Sequence, residues 1–191
     1  DDLLPAIARL FARHGLSARE LDSIAISAGP GGYTALRIAM ATAKMLSLAT
    51  GAKCIPVPSA RVAWFAMNSG TDGGTGGRLA VALSSKDATA FVTVFDGAAT
   101  PVEAGRLMDA GDLAGLEAAA LAADRFLPEA MRAAAAARGL EVRPLVLEAG
   151  ACLAASVGLV AVAADELLPM YPREPEAVTK WRRLHSPRGG G

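Results

Sequence analysis

Apolar residues recur along the chain at two spacings, every three to four residues and every second residue, and the change from one to the other marks most of the elements. Leu3, Leu4, Ile7, Leu10 and Phe11 share one helical face. Asp1 and Asp2 stand where a cap belongs, Pro5 is tolerated in a first turn, and Gly15 is placed to end the helix in a left-handed conformation. Ser17-Ala18-Arg19-Glu20 has the form of a capping box and predicts one helical turn, followed by a strand at 22–27 in which Ile24 and Ile26 alternate with small residues. A helix over 34–50 comes next. Its apolar residues Leu36, Ile38, Met40, Met45, Leu46 and Leu48 run nearly all the way round, so it must be covered on most sides. Gly51 closes it, and 53–57 reads as a strand parallel to the first.

Pro58-Ser59 opens a helix through Trp64, Phe65 and Met67. Residues 69–78 are rich in Gly with Ser, Thr and Asp, which predicts a linker and the best domain boundary. Beyond it, 79–83 and 88–95 alternate as strands joined through Ser84-Ser85-Lys86-Asp87, and a third strand near Val102 would complete an antiparallel meander. From Asp109 the chain turns alanine-rich and helical, with a short strand at 119–123, a helix at 128–138, a strand at 141–147 and a helix from 148 to about 160. Met170 to Arg173 reads as extended and 174–184 as a last helix. The expected organisation is an N-terminal lobe at 1–68, the linker at 69–78, a C-terminal α/β lobe at 79–170 and a closing segment at 171–191.

Charge narrows the function. Nineteen Lys and Arg are balanced by nineteen Asp and Glu, and 52% of the residues are hydrophobic. A module that neutralises several phosphates by itself is visibly basic, so any contact with RNA is expected to be secondary. No apolar run reaches the length that spans a bilayer, and the N-terminus has no signal-peptide pattern. Cys54 and Cys152 are too far apart for a disulfide framework or zinc spacing, which suits a reducing cytoplasm.

Candidate chemistry concentrates at Gly29, Pro30, Gly31, Gly32, Tyr33 and Thr34, where a strand stops and the apolar helix begins. Bare amides at a helix N-terminus attract an anion, so the turn is a candidate phosphate cradle; equally, its glycines can serve only to bring strand and helix close. The helix itself has two readings: a core helix with a narrow wet stripe at Arg37 and Lys44, or a partner interface in which Leu36, Met40 and Ala43, with Arg37 and Lys44 alongside, face another chain beside Leu3, Ile7 and Leu10. Asp87 stands either at a second phosphate loop or in a polar hairpin turn. His14 and His185 lack a second ligand at helical spacing, and no nucleophile motif is present.

GPGGYTALRIAMATAK resembles the GPGSFTGLRIG signature of the TsaB family, also called YeaZ and in older usage glycoprotease or peptidase. The preceding LLPAIARLFARHGLSARELDSIAIS fits that family's helix, connector and strand, and Tyr171-Pro172-Arg173-Glu174-Pro175-Glu176-Ala177 looks like its closing segment. Gly32, Tyr33 and Ala35 depart from the more usual Ser, Phe and Gly. The resemblance implies a two-lobed α/β fold of the actin, Hsp70 and sugar-kinase type. Family members open with strands carrying an Ile-Asp-Thr-Ser-like segment that has no match here, so the N-terminal lobe is expected to be incomplete at its front. It further implies a cytoplasmic, non-catalytic scaffold that activates a related TsaD-like catalytic subunit in forming threonylcarbamoyladenosine at adenosine 37 of tRNA, with a TsaE-like ATPase as a further partner. A homodimer in the absence of the partner, indirect contact with tRNA and ATP or ADP at the complex interface complete that expectation. The competing class is an enzyme of the same fold, an ATP-dependent phosphotransferase or a peptidase.

Overall fold

A computed structural model describes residues 2–68, 77–97, 99–173 and 176–185. Helix α1 (Leu3–His14) ends as its sequence requires, with Gly15 at φ +63°. Asp2 occupies its N-cap without a capping hydrogen bond, and Asp1 lies outside the described residues. The capping box forms: the Ser17 amide donates to Glu20 Oε2 at 2.6 Å and the Arg19 amide to Ser17 Oγ at 3.2 Å.

Two sheets follow. Strands β1 (Ser23–Gly29) and β2 (Lys53–Pro58) are parallel, with Ser23 opposite Lys53 and a bulge between Ser27 and Gly29. The helix α2 (Tyr33–Thr50) makes the crossover between them. Its Leu36, Met40 and Ala43 pack on Ile26, Ala28, Cys54 and Leu167 in one apolar cluster. Late in the chain, Val162 returns to this sheet and exchanges two backbone hydrogen bonds with Cys54, at 2.9 and 2.7 Å.

The second sheet has the order β5-β4-β3-β6-β7, built from β3 (Leu79–Ser84), β4 (Ala90–Phe95), β5 (Arg106–Met108), β6 (Ala120–Ala123) and β7 (Glu141–Pro144). The β3–β4–β5 meander is antiparallel, while β6 and β7 run parallel to β3. β3 and β6 are buried along nearly their whole length because both sheet faces are covered, which is why they read as unbroken apolar runs. Helix α3 (Ser59–Asn68) brings Ala60, Ala63, Trp64 and Met67 to one face, and α4 (Glu129–Ala137) brings Met131 and Ala135 to the other. Helix α5 (Ala149–Ser156) packs Ala151, Cys152 and Ala155 against Val57 and Val62, next to the first sheet. Helix α6 (Glu176–His185) follows.

Four expectations move, the first being the strand expected at 141–147, which stops at Pro144. The third meander strand is β5 rather than a strand near Val102; Val102 itself makes one ladder-like bond to the Val94 carbonyl at 2.8 Å. The stretch from Asp109 forms only a short 3-10 turn, Asp112–Gly115, entered through a tight loop in which Asp109 Oδ1 accepts from the Gly111 and Asp112 amides, and ending at Gly115. The helix expected to run to about residue 160 stops at Ser156, and Gly158, at φ +80°, redirects the chain towards Val162. The predicted linker falls almost wholly outside the described residues.

Candidate functional site

The glycine turn sits where β1 meets α2, and its glycines do different work. Gly29 has φ +107°, and a Cβ there would lie 2.6 Å from the Met170 carbonyl oxygen, so both conformation and space demand glycine. A Cβ on Gly31 or Gly32 would meet open space. Gly32 is the N-cap of α2, and its carbonyl accepts from the Leu36 amide at 2.9 Å while no side chain caps the first-turn amides. Gly31, Gly32, Tyr33 and Thr34 are exposed and Pro30 is buried. The close-packing role is thus visible at Gly29, and the amides expected of an anion site lie at 31–34.

Tyr33 organises the surface beside the turn. Its hydroxyl accepts from Arg37 Nη1 at 3.1 Å, and the Arg37 guanidinium stands 5.3 Å from its ring centroid. The Tyr171 ring lies 5.6 Å away, tilted by 36°. Arg37 was expected as an interface cation; it is also a brace on Tyr33. The i, i+4 spacing of Tyr33 and Arg37 could have shown this, whereas Tyr171 is far away in sequence.

Helix α2 corrects one expectation directly. Leu36, Met40 and Ala43, expected on an open side, form the inner side, and Met40 is only 4% exposed. With Ser47, whose hydroxyl donates to the Ala52 carbonyl at 2.6 Å, they recur at spacings of four, three and four, one helical stripe. Ile38, Ala41, Met45 and Leu48 form a second stripe about half a revolution round the helix. This one is open: Met45 is 48% and Leu48 80% exposed. Lys44 is half-buried between the stripes. Both stripes are apolar, so periodicity could not rank them. The small Ala43 and Ser47, which let the helix approach the strands closely, were the discriminating signal. Helix α1 has no buried residue; Leu3 and Leu10 are exposed and Ile7 is half-buried.

The remaining candidates scatter. Asp87 is in a hairpin turn and pairs with Arg173. His14 is exposed at the end of α1, and His185 Nδ1 lies 2.8 Å from the Trp181 carbonyl with its ring stacked on that indole. Among the described residues no three His, Cys, Asp or Glu side chains come together as metal ligands. Cys54 and Cys152 are both free and buried, and burial pushes the Cys152 thiol above its ordinary value. No helix among the described residues is long and apolar enough to cross a membrane.

A groove of about 460 Å³ opens away from the glycine turn, at the C-terminal ends of β6 and β7, with Asp124, Arg125, Phe126, Arg132 and Arg143 on its walls. Its charges are largely used internally. Arg143 donates to Glu141 at 2.6 Å, and that hydrogen bond holds the Glu141 carboxyl below its usual range. Asp124 accepts from the Ser84 amide at 2.7 Å, the Ser84 hydroxyl at 2.5 Å and the Phe126 amide at 2.9 Å, pinning β3 to β6.

Comparison with known proteins adds three findings. Residues 1–94, just under half of the chain, match the family model described as TsaD: tRNA N6-adenosine threonylcarbamoyltransferase. No curated protein matches the chain in sequence. Among solved structures, YeaZ from Pseudomonas aeruginosa is similar with a TM-score of 0.70 and 18% identity, covering 88% of this chain and 83% of that one. A protein described as similar to peptidase YeaZ from Pseudomonas aeruginosa superposes with a TM-score of 0.69, again at 18% identity, over 90% of this chain and 83% of the other. The likeness to YeaZ expected from the glycine turn is therefore borne out, and the chain has the mixed α/β fold of YeaZ.

Proposed function

We propose that this chain is a non-catalytic subunit of the cytoplasmic machinery that places threonylcarbamoyl on adenosine 37 of tRNA, and that it activates a related TsaD-like subunit by heterodimerising with it. The observation that carries the reading is the set of large apolar residues left open on two helices, Leu3, Leu4 and Leu10 on α1 and Ile38, Met45 and Leu48 on α2. Exposed apolar residues gathered on a helix face mark an interaction surface, and a stable heterodimer takes about 800 Å² from each partner. The family match over residues 1–94 supports the pathway.

Leu3, Ile7, Leu10 and Arg37 keep their assigned place at this interface, while Leu36, Met40 and Ala43 support it from behind by holding α2 on its sheet. A TsaE-like ATPase and ATP or ADP would join at the assembled complex, with the amides at 31–34 available to an anion. A balanced net charge leaves tRNA chiefly to the partner. Without the partner, the same apolar side would pair two copies of the chain. The phosphotransferase or peptidase alternative requires converging titratable groups, and no observation favours it.

The test is reconstitution with purified TsaD-like and TsaE-like proteins, tRNA, ATP and the threonylcarbamoyl donor. The expected result is modified adenosine only when this chain and the TsaD-like subunit are both present, and no ATP or peptide turnover by the chain alone. Full modification without this chain, or turnover by it alone, would overturn the proposal.

A further inference from the structure

The segment from Met170 to Arg173 has no regular secondary structure, yet it is held at one end by the last residues of β1 and at the other by the β3–β4 turn. At its start, the Met170 amide donates to the Ala28 carbonyl at 2.7 Å, and the Met170 carbonyl lies so close to Gly29 that any side chain there would collide with it. Next, the Tyr171 ring rests 5.6 Å from Tyr33, the residue braced by Arg37. At its end, Arg173 reaches the turn between β3 and β4. Nη1 donates to the Asp87 carboxylate, and Nη2 donates to the Lys86 carbonyl at 3.0 Å and to Thr89 Oγ1 at 2.9 Å.

That turn needs support. Asp87 and Ala88 stand at φ +57° and +53°, as the two central residues of a type I′ turn do, without the glycine or asparagine that makes such angles easy. The hairpin closes through Ser85 N to the Thr89 carbonyl at 2.8 Å and Thr89 Oγ1 to the Lys86 carbonyl at 2.8 Å, and Arg173 grips the same Lys86 carbonyl and Thr89 hydroxyl from outside. The Arg173 Nε is buried with no hydrogen-bond partner, so the guanidinium gives up one donor to keep this position.

We propose that Met170 to Arg173 is a latch that couples the glycine turn of the first sheet to the β3–β4 turn of the second, so that loosening either anchor loosens the other. Three residue steps span at most about 10 Å, so the two anchors are joined by a short tether. Ordering the segment is a cost met once for both ends, and with one end fixed the other binds as an intramolecular contact at high effective concentration. The coupling is reciprocal by linkage. A partner or anion that engages the turn at 29–34 and displaces Tyr171 therefore frees Asp87 and Thr89 on the other lobe. The inference stands on these contacts alone, whatever the identity of the partner.

Amide hydrogen exchange followed by NMR on the whole chain tests it. Tyr33→Ala removes the ring beneath Tyr171 without touching the hairpin, and Arg173→Gln releases the hairpin without touching the glycine turn. Exchange at the Ser85 and Thr89 amides should speed up on the order of fivefold or more in Tyr33→Ala, and exchange at the Met170 amide likewise in Arg173→Gln, while Leu121 and Ala122 in β6 keep wild-type rates. If Ser85 and Thr89 are unchanged in Tyr33→Ala, the anchors are independent and the latch is overturned. Should either variant also accelerate Leu121 and Ala122, it is globally loosened. Thr89→Val, which removes at the far anchor the hydroxyl that accepts from Arg173 and donates to the Lys86 carbonyl, then decides: faster exchange at Met170 upholds the latch and an unchanged rate rejects it.

Discussion

Met40→Ala and Met45→Ala remove the same atoms from one helix, five residues apart, and should differ sharply in cost. Met40 is 4% exposed in the cluster of Ile26, Ala28, Leu36, Cys54 and Leu167, whereas Met45 is 48% exposed on the far stripe. Truncating Met40 forfeits roughly 2 kcal/mol of transfer free energy for the methylene, sulfur and methyl lost. A residual cavity of about 50 Å³ adds roughly 1 kcal/mol at ~24 cal/mol per Å³. The sum, about 3 kcal/mol, corresponds to a fall in Tm of about 6–12 °C for a chain of this size. Met45→Ala should stay within about 0.5 kcal/mol, as surface changes do. Urea unfolding followed by circular dichroism, at low protein concentration and with m held in common, measures both. If Met45→Ala costs as much as Met40→Ala, α2 is covered on both sides within the single chain and its outer stripe is not a free surface. If Met40→Ala costs less than about 1 kcal/mol, the inner stripe is not core.

Two further outcomes are expected. Asp124→Ala leaves the Ser84 amide and hydroxyl and the Phe126 amide without their acceptor, and should destabilise by about 2–3 kcal/mol in urea unfolding, while Ser84→Ala, which keeps both amide bonds, costs about 1 kcal/mol; equal costs would show that the two amide bonds contribute nothing. The Cys152 thiol, raised by burial, should react with an alkylating reagent at pH 8 far more slowly than a free thiol, and thiolate-scale labelling in the folded protein would refute this. Because its folded value is the higher one, the stability it contributes is complete below the unfolded value of ~8.5 and is lost as pH rises through the folded value, a dependence that Cys152→Ala should remove.

Local rules carried the sequence reading where a residue's partner is near in the chain. The Ser17–Glu20 box, Gly15 and Gly51 as left-handed helix ends, the parallel pairing of β1 with β2 and the β3–β4 hairpin all follow from nearest-neighbour chemistry. What failed was non-local. Nothing near α2 says that Leu167 will cover its inner stripe, so apolar periodicity alone does not separate the two stripes, and only the small Ala43 and Ser47 mark the inner one. Nothing near Asp87 says that an arginine 86 residues later will hold it, and so a phosphate loop and a turn read alike. At the glycine turn, the one glycine that the fold strictly requires, Gly29, is set by the arrival of Met170, a contact invisible in any local window.

The central claim is that the open side of α1 and α2 is where a TsaD-like subunit binds, and isothermal titration of that subunit with wild-type chain and with the Ile38→Glu, Met45→Glu double variant tests it most directly. Both residues are exposed, so the variant should fold with wild-type circular dichroism and an unchanged urea midpoint. Burying two unpaired carboxylates at the interface should weaken association by several kcal/mol, on the order of a thousandfold or more in Kd. Wild-type affinity in the folded double variant would contradict the account and move the interface off this face.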